Sequence, residues 1–511
     1  MSSLEPVPLS DSNSMRRICT VNPATGKTNQ EYLAASDVAV KRAVESAKEA
    51  QHDWALIPIE ARARVLIKAA KALLDLQEEF AEVISRETGK PILEALGMEV
   101  LTGCDLLHFF ARRGPRLLAD EKIAPHLFKH KKAFVTYGPR GVVAVISPWN
   151  FPFYLGLSSV AQALVAGNAV VLKPSEWTPQ SGRLILELFQ AADLPAGLLS
   201  CICGDGETGA ALVSAEVDQV CFTGSVETGR KVAESCASRF IPVVLELGGK
   251  DAMIVCADAD LDRAASGAVF GSFANAGQMC TSVERVYVVD EVADAFIRKV
   301  LQKTSELRQG DQGQRDIGPM TLESQLRVVE RHVEEATSMG ARVLAGGRCN
   351  PGYSGFFFEP TVLVDVNQEM TLMREETFGP VMPIMRVRDE REAVRFANDT
   401  RFGLGASVWT GDKRKGLEIG KQLKTGSVVV NDCLINAAMT ELPFGGIDES
   451  GMGVSVGAQG LRSFCHVQSV ALDRFGLKTE MLWFPYTNKK FKLLKRLARI
   501  IWGSFLGKLF S

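Results

Sequence analysis

The sequence has no excess of positive charge. Its 58 Lys and Arg stand against 60 Asp and Glu, for a formal net charge of −2. Nothing in that balance is suited to tracking the phosphates of a nucleic acid. Paired cysteines are missing too. Eleven cysteines are scattered over 511 residues. None forms a CxxC pair or clusters with His at metal-ligand spacing, and Cys201 and Cys203 are too close together for that pattern. No metal is therefore expected, and the thiols read as reduced and mostly buried, as in a cytosolic protein. No stretch of about 18 apolar residues exists, so no simple membrane span is expected. The N-terminal MSSLEPVPLSDSNSMRR lacks the apolar core of a secretory signal. Internal repeats, low-complexity tracts and the GxGxxG dinucleotide fingerprint are all absent. What remains is an ordinary globular composition on a chain long enough for about two or three domains.

Residues 37 to 113 carry apolar positions every three or four residues, the period of helices, with Ser36 and Asp37 as N-cap candidates. From Lys131 the pattern changes to β-rich runs punctuated by Gly-Pro, as in KKAFVTYGPRGVVAVISPWN. Strands and helices then alternate: VAQALVAGN (helix), AVVLKPSE (strand), PQSGRLILELFQAA (helix), LLSCICG (strand), VDQVCFTGS (strand), ETGRKVAESCA (helix). This alternation predicts a mostly parallel sheet covered on both faces, and residues 251 to 435 repeat it as a second α/β unit.

Several segments carry chemistry. Cys280 stands in NAGQMCTS, after a glycine that permits a tight turn and before a Thr-Ser that can feed a capping turn. A thiol needs thiolate character to attack a carbonyl, and a helix start would supply a favourable field. Glu246 follows the apolar run PVVLEL beside a Gly-Gly turn. Partial desolvation there would raise its pKa into the range of a general base. Asn150 in PWNFP is stiffened by two prolines and can donate its amide to an oxyanion. Each has a plainer alternative: a turn cysteine, an ion-paired glutamate, a turn asparagine. FTGSVETG reads as strand, turn and helix start, where backbone N–H groups can bind pyrophosphate. LKPSE ends a strand with a Lys and a Glu able to bond ribose hydroxyls, and EETFGP sets another carboxylate beside an aromatic ring.

Taken in order, PWNFP, KPSE, FTGS, LELGGK, GQMCTS, EETFGP and PFGGIDESGMG resemble the aldehyde dehydrogenase superfamily, over about residues 20 to 475. The resemblance implies an α/β fold with a Rossmann-like cofactor domain (1–120 and 140–247), an α/β catalytic domain (248–445) and a small β oligomerisation flap (121–139 and 446–475). It implies a homodimer or homotetramer. It implies Cys280 as nucleophile, Asn150 with the Cys280 N–H as oxyanion hole, and Glu246 as the base for deacylation. Lys173 and Glu176 would contact the adenosine ribose and Glu376 the nicotinamide ribose. Gly224, Ser225 and Gly229 would lie along the pyrophosphate, with Trp149 lining the cleft and Phe378 near the nicotinamide. NAD is the expected cofactor, with NADP as the alternative, because Glu176 would repel a 2′-phosphate. Relatives that pass the acyl group to CoA generally lack the Glu of LELGGK, so Glu246 favours hydrolysis. A non-catalytic binding protein on the same fold would have lost Cys280, Glu246 or Asn150, and all three are present.

Two features point to a hydrophobic aldehyde. FYLGLSSVAQ is expected to begin the helix lining the substrate tunnel, with Leu155 and the small Ser158 and Ser159 leaving room for a chain. The tail FPYTNKKFKLLKRL resembles that of the fatty-aldehyde branch, so a medium- to long-chain aliphatic substrate is expected, with an aromatic or cyclic aldehyde as runner-up. Over 476–511, the segment from Asn488 onward reads as an amphipathic helix. Phe491, Leu494, Leu497, Ala498, Ile501, Phe505 and Leu509 share one face. Lys489, Lys492, Lys495, Arg496 and Arg499 gather on the other, a pattern suited to a membrane surface or a neighbouring subunit. The expected location is cytoplasmic, peripheral on the cytoplasmic face of a membrane.

Overall fold

A computed structural model of the chain describes residues 16–311, 313 and 315–503. The helical region opens where the sequence caps it. The Ser36 hydroxyl accepts the N–H of Ala39 at 3.3 Å, and Asp37 heads the helix Asp37–Leu56, a carboxylate against the positive helix end. Helices Ile59–Asp75, Gln77–Thr88 and Thr102–Leu117 follow. In the first of these, Leu66, Ala69, Ala70 and Leu73 recur at helical spacing and are fully buried. Burying one leucine such as Leu66 contributes about 1.5–3 kcal/mol.

Before the last of these helices the chain widens. A short turn, Ile92–Glu94, leads into a π turn, Ala95–Leu101. Such turns are rare and recur at functional sites. This one buries Glu99 and Val100 while Gly97 stays exposed and Met98 half-buried.

Two large sheets follow, as the alternation predicts. The first has six strands in the order Gly451–Met452, Val243–Glu246, Gln219–Thr223, Val142–Ile146, Ala169–Lys173, Leu199–Cys201, parallel except for the first pair. Its central strands Val142–Ile146 and Ala169–Lys173 are buried at every position. They therefore read as unbroken apolar runs. Chain order runs outward in both directions from Val142–Ile146, which puts a topological switch point beside that strand. Open α/β sheets bind ligands at the carboxyl ends of strands there. The second sheet has seven strands, with Asp251–Val255 and Val283–Val289 side by side near its middle.

A third sheet of three antiparallel strands, Cys465–Asp473, Lys131–Pro139 and Glu121–Ile123, is formed by segments that the sequence reading assigns to a flap. It is narrower than expected. Residues 451–464 belong elsewhere: Gly451–Met452 pairs with Val243–Glu246, and the helix Gly457–Ser463 packs on Thr102–Leu117 and Tyr154–Ala166. The reason is burial, since Val456, Leu461 and Phe464 complete the core under the six-stranded sheet. At the far end the helix Asn488–Gly503 carries the amphipathic pattern. Leu494, Leu497, Ala498 and Ile501 are half-buried, whereas Phe491 and Trp502 are each 67% exposed. Phe505 and Leu509, placed on the same face from sequence, lie outside the described residues. No helix among the described residues is long and apolar enough to cross a membrane.

Candidate active site

A cleft of about 440 Å³ opens at the carboxyl ends of Val142–Ile146, Ala169–Lys173 and Gln219–Thr223. Trp149, Lys173, Glu176, Gly224 and Ser225 line it, as do Trp177, Thr228 and Lys231, which the sequence did not single out. The Lys173 ammonium lies 3.3 Å from the Glu176 carboxylate. Ser225 caps the helix Val226–Ala237 by accepting the N–H of Thr228 at 3.3 Å. The N–H of Gly224 donates to the Glu246 carbonyl at 3.1 Å, so it is not free for a phosphate. Gly229 does not line the cleft. It is buried one turn into the helix, and a Cβ there would overlap the Leu247 side chain, so its smallness serves helix–strand packing. The cleft is sized and charged for an elongated polar ligand: it has a small-residue floor at Gly206, Gly209 and Ala210, a capped helix start, and one Lys–Glu pair at its edge.

Beyond Trp149 the cleft meets a second cluster. Trp149 and Phe378 pack edge to face, with centroids 5.4 Å apart. Phe378 is held at φ 49°, a costly conformation for an aromatic residue. Glu284 pins it. Its carboxylate accepts the N–H groups of Thr377 and Phe378, both at 2.8 Å, and pairs with the buried Lys250 at 2.5 Å. Glu376 accepts the N–H of Gly249 at 2.9 Å and lies where a Cβ on Gly248 would sit. Burial, with Glu284 nearby, pushes its pKa up to about 8.

Cys280 stands between the turn Ala274–Gly277 and the strand Val283–Val289. The expected helix start is not there, because Thr281 and Ser282 lead into a strand. Gly277, at φ 72°, makes the tight turn, and any Cβ would strike the Gly379 carbonyl. Without a helix field, burial and then the carboxylates of Asp251, Glu376 and Glu246 push the thiol well above its ordinary range, against a small opposing pull from the Thr281 N–H. A base must therefore take its proton. Glu246 ends its strand inside the fold, with both carboxylate oxygens buried and unpartnered. Ser455 lies close enough to lower its pKa slightly, but the Ser455 N–H donates to the Phe444 carbonyl at 2.7 Å. Desolvation wins and raises Glu246 to about 8. Asp251 behind it rises to about 7 for the same reason.

Asn150 is buried, and its side-chain amide donates to the Gln278 carbonyl at 2.9 Å. Two residues beyond Gln278, Cys280 lines a tunnel of about 300 Å³. Phe151, Leu155, Phe270, Met279, Leu434, Phe444 and Val456 give the tunnel apolar walls. Leu155 and Ser158 line it as the sequence suggests, and Ser159 does not. Elsewhere Cys256, Asp258 and Glu390 bring three ligand-type atoms together. There the Lys415 ammonium already supplies the positive charge, at 3.3 Å from Asp258 and 2.5 Å from Glu390.

A buried thiol lining an apolar tunnel, raised carboxylates near it and a separate polar cleft at the switch point suit an enzyme acting on a carbonyl. Residues 9–470 match the model of the aldehyde dehydrogenase family, and the chain belongs to that family as an NAD(P)-dependent aldehyde dehydrogenase. It is 40% identical, over 96% of this chain and 92% of the relative, to a 4,4'-diapolycopene aldehyde oxidase of Methylomonas sp.. A Mycobacterium tuberculosis protein named as a succinate-semialdehyde dehydrogenase of NADP(+) type is 38% identical, over 88% of this chain and 87% of the other. Among solved structures, an aldehyde dehydrogenase of Mycobacterium tuberculosis complexed with NAD+ superposes with a TM-score of 0.87 at 33% identity, covering 93% of this chain and 98% of the other. An NADP-dependent enzyme of E. coli superposes at 0.86 with 36% identity, over 90% and 95%.

Proposed function

We propose that this chain oxidises a long hydrophobic aldehyde to its acid through a thioester on Cys280. The observation that carries the substrate class is the tunnel wall. Among its described lining residues there is no Lys, Arg or His, and the charged one, Asp432, is exposed and faces Arg263 at 3.8 Å. A substrate carboxylate, as in succinic semialdehyde, would leave water for these apolar walls without a partner, at a cost of several kcal/mol. An apolar chain meets no such cost. The Methylomonas relative, named for an aldehyde of diapolycopene, fits that reading better than the mycobacterial name does.

The chemistry follows from the protonation states. The Cys280 thiol, held up by burial and by the carboxylates around it, passes its proton to water before it attacks, and Glu246 is kept for the later deacylation step. The thiolate adds to the aldehyde carbon, and the Asn150 amide with the Cys280 N–H holds the oxyanion. When bound, nicotinamide would supply the hydride acceptor. Lys173 and Glu176 would hold the adenosine ribose and Ser225 the pyrophosphate, with Gly224 beside it giving room rather than its N–H; Glu376 would hold the nicotinamide ribose, with Trp149 and Phe378 walling the ring. Glu246 then deprotonates the water that attacks the thioester, and the acid leaves. Glu176 favours NAD.

Residues 121–139 with the strand Cys465–Asp473 serve as the oligomerisation flap. That strand is a nine-residue edge with Val467 66% and Leu472 51% exposed, which suits pairing with a second copy. The helix Asn488–Gly503 rests its apolar face on a membrane surface and delivers a poorly soluble substrate. The test is kcat/KM across straight-chain aldehydes of increasing length, benzaldehyde and succinic semialdehyde. A rise with chain length and a deficit for the semialdehyde are expected. A maximum at benzaldehyde moves the assignment to an aromatic substrate.

A further inference from the structure

We infer that a buried ion pair, Lys90 and Glu99, positions Asn150 for the acylation step from behind its loop. The inference rests on the reading of Asn150 as oxyanion donor.

Both side chains are fully enclosed, with the ammonium 2.6 Å from the carboxylate. Lys90 also donates to the Asn150 backbone carbonyl at 2.7 Å and lies 3.9 Å over the Phe151 ring. The other Glu99 oxygen accepts the N–H of Phe153 at 2.9 Å and of Tyr154 at 3.2 Å, which caps the helix Tyr154–Ala166. The loop bearing Asn150 is thus held at two places by one buried pair. A third tie comes from Asn275, whose amide donates to the Asn150 carbonyl at 3.2 Å and to the Gln278 carbonyl at 3.1 Å. The Asn150 side chain donates one proton to that same Gln278 carbonyl. With one amide proton fixed there, the plane of the amide and the direction of its second proton are fixed as well. The cysteine loop and the Asn150 loop therefore share one frame, and Lys90 is the charged member that closes it.

A pair kept only for stability could be exchanged for apolar side chains at little cost. This pair instead contacts the backbone of the residue read as the oxyanion donor. Lys90 and Glu99 are positioning residues and touch no substrate.

The test is a cycle of single-turnover measurements on the full chain, with enzyme in excess of aldehyde and cofactor saturating, following reduced cofactor. Asn150→Ala is expected to slow the step about 100-fold, the usual loss for one oxyanion donor. Lys90→Met is expected to slow it at least ~10-fold, a partial loss of that same donor, with cofactor affinity and KM for the aldehyde nearly unchanged. In the Asn150→Ala background, Lys90→Met should add almost nothing. The double variant Lys90→Met/Glu99→Gln should recover the thermal midpoint without recovering the rate, which separates positioning from fold stability. If Lys90→Met does not fold, Glu99→Gln runs the same cycle. An unchanged rate in Asn150→Ala overturns the oxyanion reading itself. A slow Asn150→Ala together with a normal Lys90→Met, or equal losses from Lys90→Met in both backgrounds, overturns the positioning role alone.

Discussion

Replacing Glu246 with Gln separates what this residue does for the reaction from what it costs the fold. In the folded protein its pKa stands at about 8 against an ordinary 4.5, because both oxygens are buried without partners. The unfolded chain releases the proton near 4.5. Below that pH both states hold it and nothing is lost. As pH rises toward 8, the folded state keeps a proton the unfolded state has given up, and stability falls by about 1.4 kcal/mol per pH unit. Above 8 the loss levels off. Gln has nearly the same shape and no such dependence. The stability advantage of Glu246→Gln over the parent should therefore grow by about 3 kcal/mol between about pH 5.5 and about pH 8. For a chain this long that is a widening of about 3 °C between their thermal midpoints. Any constant cost of burying the amide cancels in the comparison. At the same time deacylation should stall, leaving a burst of about one reduced cofactor per site and slow turnover after it. An offset equal at both pH values would refute the raised pKa. Steady turnover without a stall would refute the role as deacylation base.

Cys280→Ala should lose dehydrogenase activity while keeping cofactor affinity, measured by titration; turnover above a trace would remove Cys280 as nucleophile. Glu176→Gln should shift the NADP/NAD ratio of kcat/KM toward NADP by about tenfold, since one repulsion at a partly exposed site is of order 1 kcal/mol or more; a parent that already prefers NADP contradicts the assignment. A chain ended after Tyr486 should lose co-sedimentation with anionic vesicles. If it sediments as the full chain does, the tail helix is not an anchor, and docking on a neighbouring subunit takes its place.

The strands and helices around the site were legible because their apolar periods are long and their caps are conventional, as at Ser36 and in the buried runs AVVLK and VVAVI. Cys280, Glu246 and Asn150 were singled out through short motifs, and the structure brings Asn150 and the cysteine loop together through one carbonyl. The helix start expected after Cys280 was wrong, because Thr-Ser serves equally well as an entry to a strand, and VERVYVV is β-branched enough to decide it. Gly229 looked like a phosphate glycine, although its neighbour Leu247 is far along the chain and no local pattern reveals it. Lys90, Glu94, Glu99 and Glu284 were invisible for a related reason. A charged residue in a helical stretch, or alone in an apolar strand as Glu284 is, gives no local sign of a buried partner, and only the packing of distant segments supplies one. The half-buried Glu94 accepts the N–H of Asn275 and is raised to about 7, yet nothing in PILEALG distinguishes it.

The π turn Ala95–Leu101 constrains how this enzyme can diverge. Gly97, Met98 and Thr102 form part of the tunnel wall, while Glu99, on the same turn, grips the loop of Asn150. A substitution there that widens or shortens the tunnel also moves the anchor of that loop, so appetite for a new substrate and speed on every substrate are inherited together. The wall from Leu434 to Ala438 offers that region a backbone carbonyl, that of Ala437, which accepts the Tyr154 hydroxyl at 3.2 Å, so side chains there can change without removing the contact. A lineage, or a mutant library, that changes aldehyde length without losing rate should accumulate its changes on that side.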